Sequence, residues 1–368
     1  MLDWKGLLKW SLSNTDGTQK KDIKPMEEKT KQWLQEALAD YALQDIKVIQ
    51  EILQELAKEE LNNNDDEEKR INLLERLEDI LDSLDMADSL YQIGGLVQMI
   101  KLAQTSMYPK VQCLCFSIFI TCNQNNSYVQ QWSIYEGAFN FINTILNSKN
   151  IKVKEMALSA LSSLCRGENL QSKRDFIDID GVEFLVKIIN EKESFSQRMK
   201  NKAFLFLKDL VFYDDRLHFT YNNLDAFANT NAKVTKTLNN ESVKVNNQSK
   251  NNDITFDQNQ ELKKQNEDPK NKKYRNIVKN KLIQMNFIQI HINLLHDFSD
   301  IEQDNRVNYL DILKNVVIFS NEIKQLIKET KKDALKKNML DVMKLDQQDK
   351  GSNDFEIQLY KEILNEIQ

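Results

Sequence analysis

Three stretches of this chain repeat one pattern at a nearly fixed interval. Ile93-Gly94-Gly95-Leu96-Val97-Gln98-Met99-Ile100, Tyr135-Glu136-Gly137-Ala138-Phe139-Asn140-Phe141-Ile142 and Ile179-Asp180-Gly181-Val182-Glu183-Phe184-Leu185-Val186 each set a glycine ahead of a short amphipathic segment. Gly137 follows Gly95 by 42 residues and Gly181 follows Gly137 by 44. After each comes a polar turn and then a longer run, at 111–120, 153–164 and 199–210, with apolar residues at i, i+3, i+4 and i+7. A unit of this length cannot bury its apolar face alone and must stack on its copies. The glycines are expected to supply positive φ where the chain reverses between helices. A fourth unit, Leu282-Ile283-Gln284-Met285-Asn286-Phe287-Ile288-Gln289-Ile290, places Asn286 in the glycine position. Asparagine tolerates the left-handed region best after glycine, and the matching long run is 307–319. Asn286 follows Gly181 by 105 residues, roughly 60 more than one period.

The excess lies in 214–275, rich in Asn, Gln and Lys and poor in large apolar residues, and is read as a disordered insertion between repeats. Upstream, 33–61 reads as helix with Leu34, Leu38, Ile49, Ile52, Leu53 and Leu56 inward. Residues 62–69 read as a polar acidic turn, and Ile71, Leu74, Leu77, Ile80, Leu81 and Leu84 form a further helical stripe. Downstream, a Lys-rich helix over about 322–345 and an amphipathic one over 355–367 would cap the stack. The expected organisation is a flexible segment 1–30, helices and repeats over 31–213, the insertion 214–275, and a last repeat with caps over 276–368. A period near 42 with two short helices and a long one is the signature of armadillo-like repeats. The fold class expected is therefore all-α: an armadillo-like right-handed superhelical solenoid with capping helices.

Composition agrees with helix. Only 8 Gly and 3 Pro occur, fewer than sheet turns need. The balance of 50 basic against 56 acidic residues lacks the excess of a nucleic-acid binder, and no run is long enough to span a bilayer. The opening residues show no signal-peptide pattern and the final ones no retention signal, so a cytoplasmic protein is expected. Cys113, Cys115, Cys122 and Cys165 sit in apolar helical patterns without metal-ligand spacing, as small buried hydrophobes do.

No catalytic constellation is present in the sequence. His218, His291 and His296 do not share a spacing that would converge, and no phosphate loop or nucleophile motif occurs. A non-enzymatic protein without cofactor or metal is expected. A repeat stack offers instead a curved surface for another protein, with the long helices lining it. Candidate contact residues are the polar ones on those helices: Asn123, Gln124, Ser163, Arg166, Lys202 and Asp209.

Four short motifs then carry a resemblance. Leu7-Leu8-Lys9-Trp10-Ser11-Leu12-Ser13-Asn14 resembles the Leu-Leu-x-Trp-Ser-Ile-Ala-Asn opening of the fungal Fes-type exchange factors. Leu81-Asp82-Ser83-Leu84-Asp85-Met86-Ala87-Asp88 is similar to the family's Glu-Asn-Leu-Asp-Asn-Ala-Asn stretch. Thr121-Cys122-Asn123-Gln124-Asn125-Asn126 resembles its Thr-Ala-Val-Gln-Asn-Asn, and Ala160-Leu161-Ser162-Ser163-Leu164-Cys165-Arg166 its Ala-Leu-Ser-Ser-Leu-Ile-Arg. The likeness covers 1–14 and about 70–212, and continues weakly through 282–320. The insertion is a departure from the family pattern.

The resemblance implies a nucleotide exchange factor, acting as a monomer, for a cytosolic seventy-kilodalton heat-shock chaperone. Its concave face would grip one lobe of the chaperone's ATPase domain and push the other away, releasing ADP. That requires tighter binding to the open conformation, so ADP and the cochaperone weaken one another's binding. Ala87 would be a small residue in close contact with the chaperone, so that Ala87→Arg weakens binding without unfolding. Arg166 and Lys202 would meet acidic groups. Trp10, Ser11 and Asn14 would belong to a mobile segment engaging the peptide-binding domain. The alternative is an armadillo scaffold or adaptor with another partner. A nuclear-import adaptor fits poorly, because Trp132 is the only Trp in the repeats and lies outside the long helices.

Overall fold

The computed structural model describes residues 28–81, 84–191, 193–217, 269–291, 303–346 and 353–368. Among them every regular element is helical. The chain divides into two compact units, one ending at Asn123 and one beginning at Gln124.

In the first unit α1 (Glu28–Leu56) packs on α2 (Asn64–Ile80), and α3 (Leu84–Gln92) and α4 (Gly95–Thr105) pack with α5 (Pro109–Asn123). Ile49, Ile52, Leu53 and Leu56 are buried as the sequence predicts, and so are Ile71, Leu74, Leu77 and Leu81. The acidic stretch is not a turn. Helix α2 begins inside it because the Asn63 side chain accepts from the Asp66 amide at 2.8 Å, and Asp65, Asp66 and Glu67 sit in the first turn. Carboxylates there complement the positive end of the helix dipole. Buried Arg70 then ties the α1 exit to α2. It bonds Asp66 at 2.8 Å, the Leu56 carbonyl at 3.2 Å and the Lys58 carbonyl at 2.8 Å.

The second unit is built from three-helix groups. The first holds α6 (Ser127–Tyr135), α7 (Phe141–Asn147) and α8 (Ile151–Cys165). The second holds α9 (Leu170–Asp178), α10 (Gly181–Asn190) and α11 (Gln197–Tyr213). The third holds α12 (Ile277–Gln284), α13 (Phe287–His291) and α14 (Gln303–Phe319). Within a group the long helix packs on the short ones, α11 meeting α9 through Phe206 against Phe176 and α14 meeting α13 through the Tyr309 hydroxyl on the Ile288 carbonyl, and α8 packs on α11 and α11 on α14. The buried residues of the long helices, such as Ala157, Leu161, Ala203, Leu207, Ile312 and Val316, form a continuous core.

The reversal chemistry differs from the expectation. Gly137 (φ 86°) and Asn286 (φ 53°) are left-handed as predicted, but in the other two units the left-handed residues are Gly94 (φ 79°) and Asp180 (φ 60°). Gly95 and Gly181 are glycines for lack of room. A Cβ at Gly95 would sit 2.4 Å from the Leu90 side chain, and one at Gly181 would sit 2.5 Å from the Phe176 carbonyl. The left-handed positions recur more regularly than the glycines, Gly137 following Gly94 by 43 residues and Asp180 following Gly137 by 43.

The Lys-rich tail helix is two helices. α15 (Asn321–Thr330) stops at Lys331 and α16 (Lys332–Asp346) restarts, before α17 (Asp354–Glu366) packs back on α14 and α16. Glu356 is buried on α17 and receives Arg306 of α14 through Nε at 3.0 Å and through a second nitrogen at 3.2 Å. A buried, bidentate pair of this kind fixes how the closing helix docks.

The ends of the predicted 214–275 insertion are ordered. Asp214–Arg216 and Pro269–Tyr274 are short 3-10 helices, and Leu217 and Tyr274 are buried. Residues 218–268, Trp10, Ser11 and Asn14 lie outside the described residues.

Candidate partner-binding face

Helices α8 and α11 lie side by side and in register, so residues 43 apart form rungs between them. Lys202 on α11 donates to the Ser159 hydroxyl on α8, and Arg166 at the end of α8 meets Asp209 on α11 at 3.8 Å. Ser159 and Arg166, like Lys202 and Asp209, are seven residues apart, which two helical turns bring back to one face. Arg198 reaches Glu155 at 3.8 Å, and Glu155 accepts from Ser196 at 2.8 Å. Burial holds the Lys202 ammonium below its usual range, with Arg198 adding to the effect, and burial raises the Asp209 carboxyl against the opposing pull of Arg166. The ridge is thus a strip of charge set partly into the fold.

At the C-terminal ends of these helices lies a cluster that sequence reasoning missed. Lys173 on α9 is fully buried, donates to the Gly167 carbonyl and stands 4.0 Å from the Tyr213 ring centre. Burial lowers its ammonium to about 8. The other side of the cluster is Arg216, 4.6 Å from the same ring and paired to Glu168 at 2.7 Å. One repeat earlier, at the same position, Gln130 on α6 donates to the Ser163 and Arg166 carbonyls at 2.9 and 3.1 Å. Gln130 and Lys173 are 43 residues apart and both serve the end of a long helix, where carbonyls lack partners and positive charge is favoured. That shared repeat position was the available signal.

The predicted contact residues divide accordingly. Arg166, Lys202 and Asp209 come together on the α8–α11 ridge, and Gln124 is exposed just beyond α5. Ala87, Asn123 and Ser163 are inside the fold. Ala87 is 2% exposed, so Ala87→Arg would force a long cation into the core rather than only block a surface contact. Asn123 donates to the Phe119 carbonyl at 2.8 Å and Ser163 to the Ala160 carbonyl at 2.8 Å, each folded back on its own helix.

Cys115, Cys122 and Cys165 are buried, and burial pushes the Cys122 and Cys165 thiols up to about 12. His291 is buried against Phe287, Phe204 and Tyr309 with Nδ1 at 2.9 Å from the Phe287 carbonyl. His218 and His296 lie outside the described residues. No group of three or more His, Cys, Asp or Glu suited to a metal occurs among the described residues. A shallow depression along α2, lined by Asp65, Glu68, Lys69, Asn72, Leu73 and Arg76, draws on one helix only and assembles no converging catalytic set. Among the described residues no helix is long and apolar enough to cross a membrane.

Residues 4–90 match the family model for nucleotide exchange factor Fes1. The resemblance carried by the opening motif and by the 81–88 stretch falls in this segment. Over 218 residues the chain is 25% identical to Hsp70-binding protein 1 of Mus musculus, covering 56% of this chain and 59% of that protein. It is 24% identical over 220 residues to Hsp70-binding protein 1 of Homo sapiens, with the same shares. The chain thus spans about three-fifths of the length of these curated relatives. Among solved structures it is similar to a designed armadillo repeat protein, YIII(Dq)4CqI, with TM-score 0.53 and 14% identity over 86% of this chain and 99% of that one. Computationally designed armadillo repeat proteins for modular peptide recognition match with TM-score 0.52 and 14% identity, over 86% of this chain and 98% of theirs. At such identity the likeness is one of fold, and the fold is the armadillo-like repeat that the period of the sequence predicts.

Proposed function

We propose that this chain is a nucleotide exchange factor, a non-enzymatic cochaperone, for a cytosolic seventy-kilodalton heat-shock chaperone. The observation that carries the reading is the match of residues 4–90 to the Fes1 exchange-factor family, on a chain whose remaining helices repeat as armadillo-like units. In this reading the repeats hold one lobe of the chaperone's ATPase domain and favour its open form, so that ADP leaves. The cochaperone acts by binding the open conformation more tightly than the closed one. ADP and cochaperone therefore oppose one another's binding by the same factor.

The α8–α11 ridge is the part of the second unit we assign to the chaperone. Arg166 and Lys202 offer cations to acidic groups of the lobe, Asp209 holds Arg166 in place, and Gln124 adds a polar contact. Trp10, Ser11 and Asn14 are assigned to a segment that engages the chaperone's peptide-binding domain. The protein acts as a cytoplasmic monomer in this scheme.

The test is stopped-flow release of fluorescent ADP from a cytosolic seventy-kilodalton chaperone, with and without this protein. Acceleration that saturates with concentration is expected, and Arg166→Glu with Lys202→Glu should weaken binding about tenfold or more at low salt while leaving helical content unchanged. Binding without acceleration would leave a chaperone adaptor. Absence of both binding and acceleration would overturn the reading.

A further inference from the structure

We propose that α12 and the helices after it are held to α9, α10 and α11 by an interface that needs no peptide link between residues 217 and 269. A chain cut anywhere in that interval remains one particle.

The geometry that points to this is the helix cap. Asp214 stands directly after α11, yet its carboxylate accepts from the amides of Val278 at 2.8 Å and Lys279 at 3.0 Å, the first turn of α12. Its backbone carbonyl also accepts from the Asn276 amide at 3.3 Å. Asn150 caps α8 in the same two-amide pattern, through residues two and three ahead, Lys152 and Val153. Asp214 reaches residues 64 and 65 ahead. The difference is 62 residues at both amides, and removing 62 from the 106 between the left-handed Asp180 and Asn286 leaves 44, one repeat period. The extra chain has entered between a cap and its helix, and the cap still closes.

The two sides are also complementary in charge. The earlier side contributes Asp178, Asp180, Glu183 and Asp214, and the later side Lys273, Tyr274, Lys279 and Lys281. Lys273 meets Asp178 at 3.3 Å, Tyr274 donates to the same carboxylate, and Lys281 meets Glu183 and, at 3.9 Å, Asp180. Arg174 donates to the Leu217 carbonyl at 3.3 Å and stands 5.6 Å from the Tyr274 ring centre, so both lips of the interval are pinned to α9. Beneath them Phe204 packs edge-on to Phe287 at 6.1 Å, and Leu207, Leu282 and Val316 are fully buried. An apolar centre with a charged, complementary rim is how separate chains recognise each other.

The experiment replaces part of 218–268 in the full chain with a sequence-specific protease site and cuts it to completion, checked on a denaturing gel. Size-exclusion chromatography with light scattering under native conditions should then give one particle near the 43.2 kDa of the intact chain. Separate or aggregated fragments would overturn the proposal. On dilution, cut Asp214→Ala should dissociate at a concentration at least tenfold higher than the cut parent, and equal behaviour would overturn the role of Asp214. If uncut Asp214→Ala fails to fold, Lys273→Glu serves instead. Its cut form should dissociate more readily, and adding Asp178→Lys should restore it, whereas no effect of either change would overturn the charged rim.

Discussion

Helices α6 and α9 start in the way a sequence reader expects, and α12 does not. Asn126 accepts from the Val129 amide at 3.2 Å and Asn169 from the Ser172 amide at 3.1 Å, each capping from the residue before its helix. Asn276 occupies the equivalent place before α12 but is left-handed at φ 54° and makes no side-chain cap. Asp214 supplies the cap from across the insertion. The same local demand, partners for the first free amides of a helix, is met in one case by chain neighbours and in the other by tertiary structure. A charged residue does the second job at a cost. Burial outweighs the two amide bonds and raises the Asp214 carboxyl to about 6.

The comparison can be broken most severely at Asp214. Asp214→Ala strands two buried amides, and at pH 5 it should cost about 3 kcal/mol, read as a fall in the denaturant midpoint. Near pH 7.5 the cost should be smaller, because the variant no longer buries a carboxylate.

The parent's own pH dependence comes next. The folded-state value of about 6 lies above the 3.8 of an ordinary aspartate, so the protonated form favours folding. That contribution is full below about 3.8 and is lost as pH rises through about 6, a change on the order of 2–3 kcal/mol. Asp214→Asn should flatten the slope of unfolding free energy between pH 4.5 and 7.5, and an unchanged slope would show that another group carries it.

Local caps should matter less. Asn126→Ala and Asn169→Ala should each lower stability by about 1 kcal/mol, without pH dependence between 4.5 and 7.5, measured by the same denaturation. The smallest effect is expected from the interval itself. A Gly/Ser linker of half the length of 218–268 should raise stability by only about 0.6 kcal/mol, since loop-closure entropy grows slowly with length. A large loss of melting temperature would show instead that the replaced residues are folded into the stack.

Much of this was legible in the chain. The apolar stripes at Ile71, Leu74 and Leu77, and at Val153, Ala157 and Leu161, are buried as their spacing demands. The candidate face was legible in part. Arg166, Lys202 and Asp209 could be chosen because they are polar residues on the long helices, but nothing in the sequence separates Ser163 from Ser159. One is folded inward onto the Ala160 carbonyl and the other receives Lys202 from the next helix. Lys173 was hidden by its residue type, because lysines are seldom fully buried and it faces an aromatic ring and a carbonyl contributed by other segments.

What the sequence by itself determined is the periodic part: helix type, repeat length and the placement of the excess chain. Those follow from local geometry, since 3.6 residues per turn and the need to bury one face act within a few residues of each position. What only the tertiary structure decided is which segment satisfies which. Gly181 is required by the Phe176 carbonyl and Gly95 is crowded by the Leu90 side chain, neither by φ, and Asp214 belongs to a helix that starts 63 residues after it. Such pairings depend on distances in space, and a chain of residues carries no record of them until its layers have packed.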